Sequence, residues 1–216
     1  MAHLTIGTLD SVAGTYTRVA PDVRRMQILE ATHRVTLERG LHDVRVGDVA
    51  DELGVSTGTI HYHFATKDEL IESMLREMAD REIADMRRSL TRLDAPEDRL
   101  ALVIDTYLPS PRHDHTWVLW IDVWGEALRH ASLRQISEEL DNAWVELLAE
   151  VIADGVATGA FRCDDPVATA WRLCALLDGL GLQVVLHQAT MTRAQMNDHV
   201  SRAAALELSY EVPLAD

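Results

Sequence analysis

Cysteine is scarce in this 216-residue chain: Cys163 and Cys174 stand eleven apart, with no C-x-x-C. That excludes a disulfide framework and a cysteine zinc site and fits a reducing cytoplasm. No G-x-S-x-G, P-loop or H-E-x-x-H run is present, so the common hydrolase, nucleotidase and zinc-protease signatures are missing, and no cofactor is implied. No apolar run reads as long and charge-free enough to span a bilayer, so no membrane partner is expected. The start, MAHLTIGTLDSVAGTYT, lacks a basic stretch followed by an apolar block and reads as a polar, flexible arm over residues 1–20, not a signal peptide. Aromatic residues are only 5% of the chain, which makes their placement informative.

Basic charge is also short. The formal net charge is −15, an unfavourable total for a nucleic-acid binder. Its distribution matters more than its sum. Through Lys67 seven basic residues face eight acids, a net of −1, so −14 falls on the remainder. An acidic body repels DNA and orients a near-neutral head toward it. The 47% hydrophobic and 25% charged content is that of a globular chain able to bury a core.

The organising stretch is Val46 to Lys67, VGDVADELGVSTGTIHYHFATK. Ala50, Gly54, Val55 and Ser56 form A-x3-G-V-S, a spacing that suits two short helices crossing steeply at a small-residue turn. Gly54 can take the positive φ that ends the first helix, and Ser56 can cap the second. Val46, Val49, Ala50 and Leu53 form the inner side of the first. Ile60 and Phe64 point inward from the second, which offers Thr57, Gly58, Thr59, His61, Tyr62 and His63 outward. This is helix-turn-helix chemistry, whose second helix enters a DNA major groove. A preceding helix, Arg24 to Arg39, carries Ile28, Leu29, Ala31, Thr32, Val35 and Thr36 at helical spacing and ends at Gly40. Arg24 and Arg25 stand at its positive end, where they do not help the helix; either they are merely solvated there or they meet phosphate.

The run D48-V-A-D-E-L-G-V-S-T-G-T-I-H-Y-H-F-A-T-K-D-E-L70 resembles the DNA-binding domain of the TetR family of transcriptional regulators, in one register from about Arg24 to Leu70. The resemblance implies a three-helix head over residues 21–67 and a larger helical ligand-binding and dimerisation body over 68–216, all-α throughout. It implies that Thr57, Gly58 and Thr59 approach the groove, that Tyr62 and His63 contact backbone or bases, and that Lys67 grips a phosphate. Arg24, Arg25, Arg45 and Ser56 complete the expected DNA face. Thr57 stands where many members have Lys, and His61 where most have Tyr, so the operator sequence does not transfer. His61 and His63, two apart on a helix, face different ways and make no metal pair.

In the body, Asp68 to Ser89 reads as a long helix with Met74, Met78 and Met86 on its apolar side, either as core or as a pliable ligand lining. In the TetR family this helix links head and body, so tilting it moves the recognition helix. Glu97 to Leu108 is amphipathic, and Pro109 to Arg112 is a linker. His113 to His130 then carries Trp117, Trp120 and Trp124 at i, i+3 and i+7, one stripe. His113-Asp-His115 reads as a solvated helix start and not as a metal site. Leu133 to Thr158 adds Trp144.

Val167 to His187 is apolar on nearly every side and so needs burial on two. With the last helix, Thr192 to Leu208, it would form a four-helix interface between two copies, which is also what the family uses. Two-fold symmetry sets the recognition helices about 34 Å apart, or a multiple of it, on a palindromic operator of double-stranded DNA.

The runs W120-I-D-V-W-G-E-A-L-R129, G159-A-F and L177-D-G-L-G-L-Q183 are similar to the BetI-like subgroup, diffusely enough that ligand identity does not follow. The candidate ligand residues are Met78, Tyr107, Trp117, Trp120, Trp124, Trp144, Trp171 and Asp178. Aromatic faces with carboxylates nearby favour a cation; the alternative is that the tryptophans fill core. Asp178, a lone acid in an apolar helix, meets a ligand, pairs with Arg172 or Arg193, or rims a solvated pocket. The expectation is a homodimeric cytoplasmic repressor, released from its operator by a small molecule. The alternatives are a ligand-free global regulator of the same family, or a helical enzyme or carrier.

Overall fold

The structure, a computed structural model, describes residues 20–110, 114–187 and 190–210, and within them the chain forms nine α-helices and no strand. The expected N-terminal arm and His113 lie outside the described residues. The helices are α1 (Pro21–Arg39), α2 (Val46–Leu53), α3 (Thr57–His63), α4 (Lys67–Leu90), α5 (Pro96–Tyr107), α6 (His115–Ala127), α7 (Ala131–Thr158), α8 (Pro166–Leu186) and α9 (Arg193–Leu208).

Their ends follow from local chemistry. Pro21, Pro96 and Pro166 stand in the first turns of α1, α5 and α8, where a missing N–H costs nothing. Ser56, Thr66, Asp114, Asp165 and Thr192 cap α3, α4, α6, α8 and α9 through side-chain oxygens that accept backbone N–H groups. Gly54 takes φ 63°, ψ 36° after α2, the left-handed turn that swings the chain into α3.

The head is α1 to α3 with the start of α4. Ile28, Leu29, Val35, Val49, Ala50, Ile60 and Phe64 are buried together, while Val46 and Leu53 are only partly covered. In the body, α7 runs through the middle and packs against α4, α5, α6 and α8. Helix α4 belongs to both parts: Leu70 and Ile71 are buried beside the head, and Met86 is buried in the body. The head also meets the body directly where α1 touches α6.

One expectation is corrected. Helix α8 is, by length and composition, apolar enough to cross a membrane, with a mean hydropathy of 1.3 in its most apolar window. Its apolarity serves packing on one side: Thr169, Ala170, Leu173, Cys174, Leu177 and Gly181 are buried against the body. On the other side Val167, Trp171 and Leu186 are exposed, and Leu206 of α9 is 83% exposed.

Candidate DNA face and ligand cavity

The DNA face is built on α3. Thr57, Gly58, His61 and Tyr62 are exposed, Tyr62 to 80%, and Thr59 and His63 are partly covered. The Ser56 hydroxyl accepts the Thr59 N–H at 3.3 Å and lies 3.1 Å from the Thr59 hydroxyl, so these two residues fix the start of the helix. The Tyr62 and His63 rings meet edge-on at 5.0 Å.

The surrounding ion pairs explain how a head with net charge −1 can face phosphate. Arg34 pairs with Glu52 at 3.0 Å and Arg39 with Asp48 at 3.1 Å, so two acids of α2 are neutralised from α1. Arg45 is exposed at the start of α2, its backbone N–H held by Asp48 at 3.1 Å. Arg24 is partly exposed. Arg25 is more committed: its guanidinium lies 4.9 Å from the centre of the Phe64 ring and reaches the Ser73 hydroxyl at 3.4 Å. Lys67 donates to the His42 carbonyl at 3.1 Å, tying the α1–α2 loop to the start of α4.

In the body, a cavity of about 580 Å³ opens between α4, α6 and α7. Five aromatic residues line it: Tyr107, Trp117, Trp120, Trp124 and Trp144. Tyr107 meets Trp144 at 5.3 Å and Trp117 at 6.0 Å, and Trp117 meets Trp124 at 6.0 Å, all near-perpendicular edge contacts. The Trp117 indole N–H donates to the Tyr107 carbonyl at 3.2 Å, which fixes its ring. Met78 lines the cavity beside Met74. Six of the eight predicted ligand residues therefore line one cavity.

The other two do not line it. Trp171 is 49% exposed on the outer side of α8. Asp178 stands behind the aromatic wall, where Tyr107 donates its hydroxyl to the carboxylate at 2.5 Å. Neither expected arginine reaches Asp178: Arg172 pairs with Glu207 at 2.5 Å, and Arg193 with Asp105 at 2.6 Å. Burial raises the Asp178 carboxyl above the usual range, against the lowering by the Tyr107 hydroxyl, and burial likewise pushes the Tyr107 phenol well up.

Carboxylates dominate the remaining lining: Glu30, Glu77, Glu82, Asp85, Asp114 and Asp141, against Arg81 and His33. Burial, with Asp114 adding repulsion, pushes the Glu82 carboxyl up to about 7. Burial also pushes Asp141 up to about 6, helped by Asp178 and Glu138. Arg81 is held at 3.3 Å by both Glu30 of α1 and Glu77 of α4. Burial, then Arg81 and Arg34, lowers the pKa of the His33 imidazole. Leu29, Glu30 and His33 belong to α1, so the cavity touches the head itself. Among the described residues no group of three or more His, Cys, Asp or Glu is arranged to hold a metal ion.

Residues 28–74 match the family model of the bacterial regulatory proteins of the TetR family, and residues 96–209 match that of the BetI-type transcriptional repressor C-terminal domain. The chain belongs to the TetR family. It is 31% identical over 159 residues to the transcriptional repressor KstR2 of Mycobacterium tuberculosis, covering 72% of this chain and 78% of that one. It is 28% identical over 194 residues to the transcriptional regulator BetI of Burkholderia mallei, covering 85% and 95%. A transcriptional regulator from Saccharomonospora viridis, solved in complex with choline, superposes with a TM-score of 0.77 at 31% identity over 87% of this chain and 98% of that one.

As a TetR-family member the protein is a DNA-binding transcriptional repressor and not an enzyme, with a helix-turn-helix head and a helical body for a small-molecule effector. The acids of the cavity were not singled out in the sequence. Glu82 stands among Asp80, Arg81 and Asp85, a run that reads as a solvated helix face, and only the tertiary packing of α4 partly buries it.

Proposed function

We propose that this TetR-family protein is a homodimeric repressor that a small organic cation releases from a palindromic operator in the cytoplasm. The observation that carries the effector class is the cavity: five aromatic residues line it, and six acidic side chains outnumber its one guanidinium. Ring faces and carboxylates both favour a desolvated cation, each aromatic contributing about 0.5–2 kcal/mol. An anionic effector would meet repulsion from those acids. The choline bound to the Saccharomonospora viridis regulator supports a quaternary or protonated amine as the class.

The route from cavity to DNA runs through two helices. Met74, Met78 and Glu82 of α4 line the cavity, and Lys67 opens the same helix beside α3. Leu29, Glu30 and His33 of α1 line it from the head side. A cation bound more tightly in the form whose recognition helices are wrongly spaced shifts the population to that form and lowers operator affinity. The exposed apolar residues Trp171, Val167 and Leu186 of α8, with Leu206 of α9, support pairing with a second copy across those helices.

The experiment is a mobility-shift titration on the DNA flanking the protein's own gene, with and without a panel of cationic, neutral and anionic compounds. Release by cations alone is the expected result. Release by acyl or acidic compounds alone overturns the effector class, and no shift with any DNA from that region overturns an operator there.

A further inference from the structure

No residue of α8 lines the cavity, yet that helix fastens two of the aromatic residues that do. Asp178 and Gly181 stand three apart on α8 and so share a face. Asp178 accepts the Tyr107 hydroxyl at 2.5 Å. Gly181 leaves the space that the outer edge of the Trp117 indole fills, since a Cβ there would lie 2.1 Å from its Cη2. The Trp117 N–H in turn donates to the Tyr107 carbonyl at 3.2 Å. Tyr107 and Trp117 are thus tied to each other and both are braced by α8. The side chains of these two residues own one hydrogen-bond donor each, and both donors are spent inside the protein. Their rings attract a cation through the quadrupole and offer no free proton to an acceptor.

We propose that Asp178 is a positioning residue of the effector site, touching Tyr107 and never the effector. Its grip on the phenol proton sets selectivity: a quaternary ammonium with no hydrogen-bond acceptor is favoured over one that carries a carboxylate. This rests on the reading of the cavity as a cation site. Two properties of Tyr107 depend on the bond. The ring is held in place before the effector arrives, so binding does not have to order it. The proton is kept from the cavity, so an acceptor on the effector gives up water and gains nothing from Tyr107 in return. Neither Arg172 nor Arg193 competes with the tyrosine for Asp178, because they pair with Glu207 and Asp105.

The test is isothermal titration of the full-length protein with propyltrimethylammonium and trimethylglycine, which share a trimethylammonium head and differ in an ethyl group against a carboxylate. The unaltered protein is expected to bind the first more tightly. Asp178→Ala should weaken propyltrimethylammonium about three- to tenfold, the worth of ordering one ring on binding. It should also lower the ratio of the two affinities, because the released phenol donates to the carboxylate. Asp178→Asn removes the charge but keeps an acceptor for the phenol, so it should retain the affinity and the ratio of the unaltered protein. Adding Tyr107→Phe to Asp178→Ala removes the proton, and the ratio should climb back. A loss in Asp178→Asn equal to that in Asp178→Ala would make Asp178 a direct counter-charge and overturn the positioning role. An unchanged ratio in Asp178→Ala, a ratio that Tyr107→Phe does not restore, or tighter binding of trimethylglycine to the unaltered protein also overturns it, and each leaves the cation reading standing. Binding of neither compound to the unaltered protein overturns both. Circular dichroism melting shows which variants fold; should Asp178→Ala not, Asp178→Asn decides, its retained affinity supporting the role and its loss overturning it.

Discussion

A Cβ placed on Gly181 of α8 would lie 2.1 Å from Cη2 of Trp117 on α6. The indole fills the space that any larger residue would occupy, and its N–H is held by the Tyr107 carbonyl, so the ring cannot swing aside freely. Gly181→Ala should therefore push Trp117 into the cavity and cost about 1–3 kcal/mol through overpacking. A lowered melting temperature together with a shifted tryptophan fluorescence maximum is the expected result. A fully native melt would mean that the ring has room the geometry does not give it.

The Tyr107–Asp178 bond makes a sharper prediction, because each partner answers for the other. Tyr107→Phe leaves a partly buried carboxyl without its donor and should destabilise by about 1–3 kcal/mol. Asp178→Asn keeps an acceptor for the phenol and should cost less. A double-mutant cycle by urea denaturation should return a coupling energy of about 0.5–3 kcal/mol, and additive effects would show that the bond contributes nothing.

These two contacts show what was readable in advance and what was not. Proline in the first turns of α5 and α8, and glycine after α1, α2 and α7, put helix ends within a few residues of where sequence places them. The head was legible almost residue by residue, because its helices are short and their turn chemistry is local. Trp117 and Trp171 look alike in sequence, each a tryptophan in an apolar helix. Only the neighbours decide that one lines a cavity and the other faces outward. Asp178 illustrates the same limit: a lone acid demands a partner, but the partner proved to be a tyrosine 71 positions earlier and not a nearby arginine.

The raised carboxyls give the protein a pH signature. A group whose folded pKa exceeds its unfolded value contributes stability that is fully present below the unfolded pKa and is lost as pH rises through the folded one. For Glu82 that window runs from the ordinary glutamate value of 4.5 to about 7. The ligand-free protein should lose this contribution between those values, and Glu82→Gln should flatten the fall. Melting curves at pH 5, 6, 7 and 8 on both proteins, taken as a difference so that other carboxylates cancel, provide the check. Cation affinity should run the other way and rise toward pH 8, because binding favours the ionised Glu82 and Asp141.

On the outer faces of α8 and α9, Trp171→Asp and Leu206→Asp should convert a dimer to a monomer in sedimentation velocity. Each puts a charge into the apolar surface that a second copy would desolvate. A monomer should also lose most operator affinity, since each head then binds one half-site alone. Variants that stay dimeric would move the interface away from these helices.

Lys67 is the chain's single lysine, which lets one side chain be followed by amine chemistry. In the free protein it donates to the His42 carbonyl at the junction of the α1–α2 loop and α4, beside the recognition helix. If it turns to a phosphate on DNA, acetic anhydride labelling of Lys67, read by peptide mass spectrometry, should fall when operator DNA is added. Lys67→Ala should then weaken binding to all sequences and reduce the salt slope by about one unit. Arg45→Ala, at an exposed position with no intramolecular ion pair among the described residues, should do the same. Arg39→Ala should act differently. It frees the Asp48 carboxylate that Arg39 neutralises at 3.1 Å, so it adds negative charge to the head without removing a phosphate contact. Operator affinity should drop at low salt and recover relative to the parent protein as salt screens Asp48. Unchanged labelling of Lys67 and an unchanged salt slope in Lys67→Ala would leave that side chain with its tie to His42 and no part in reading DNA.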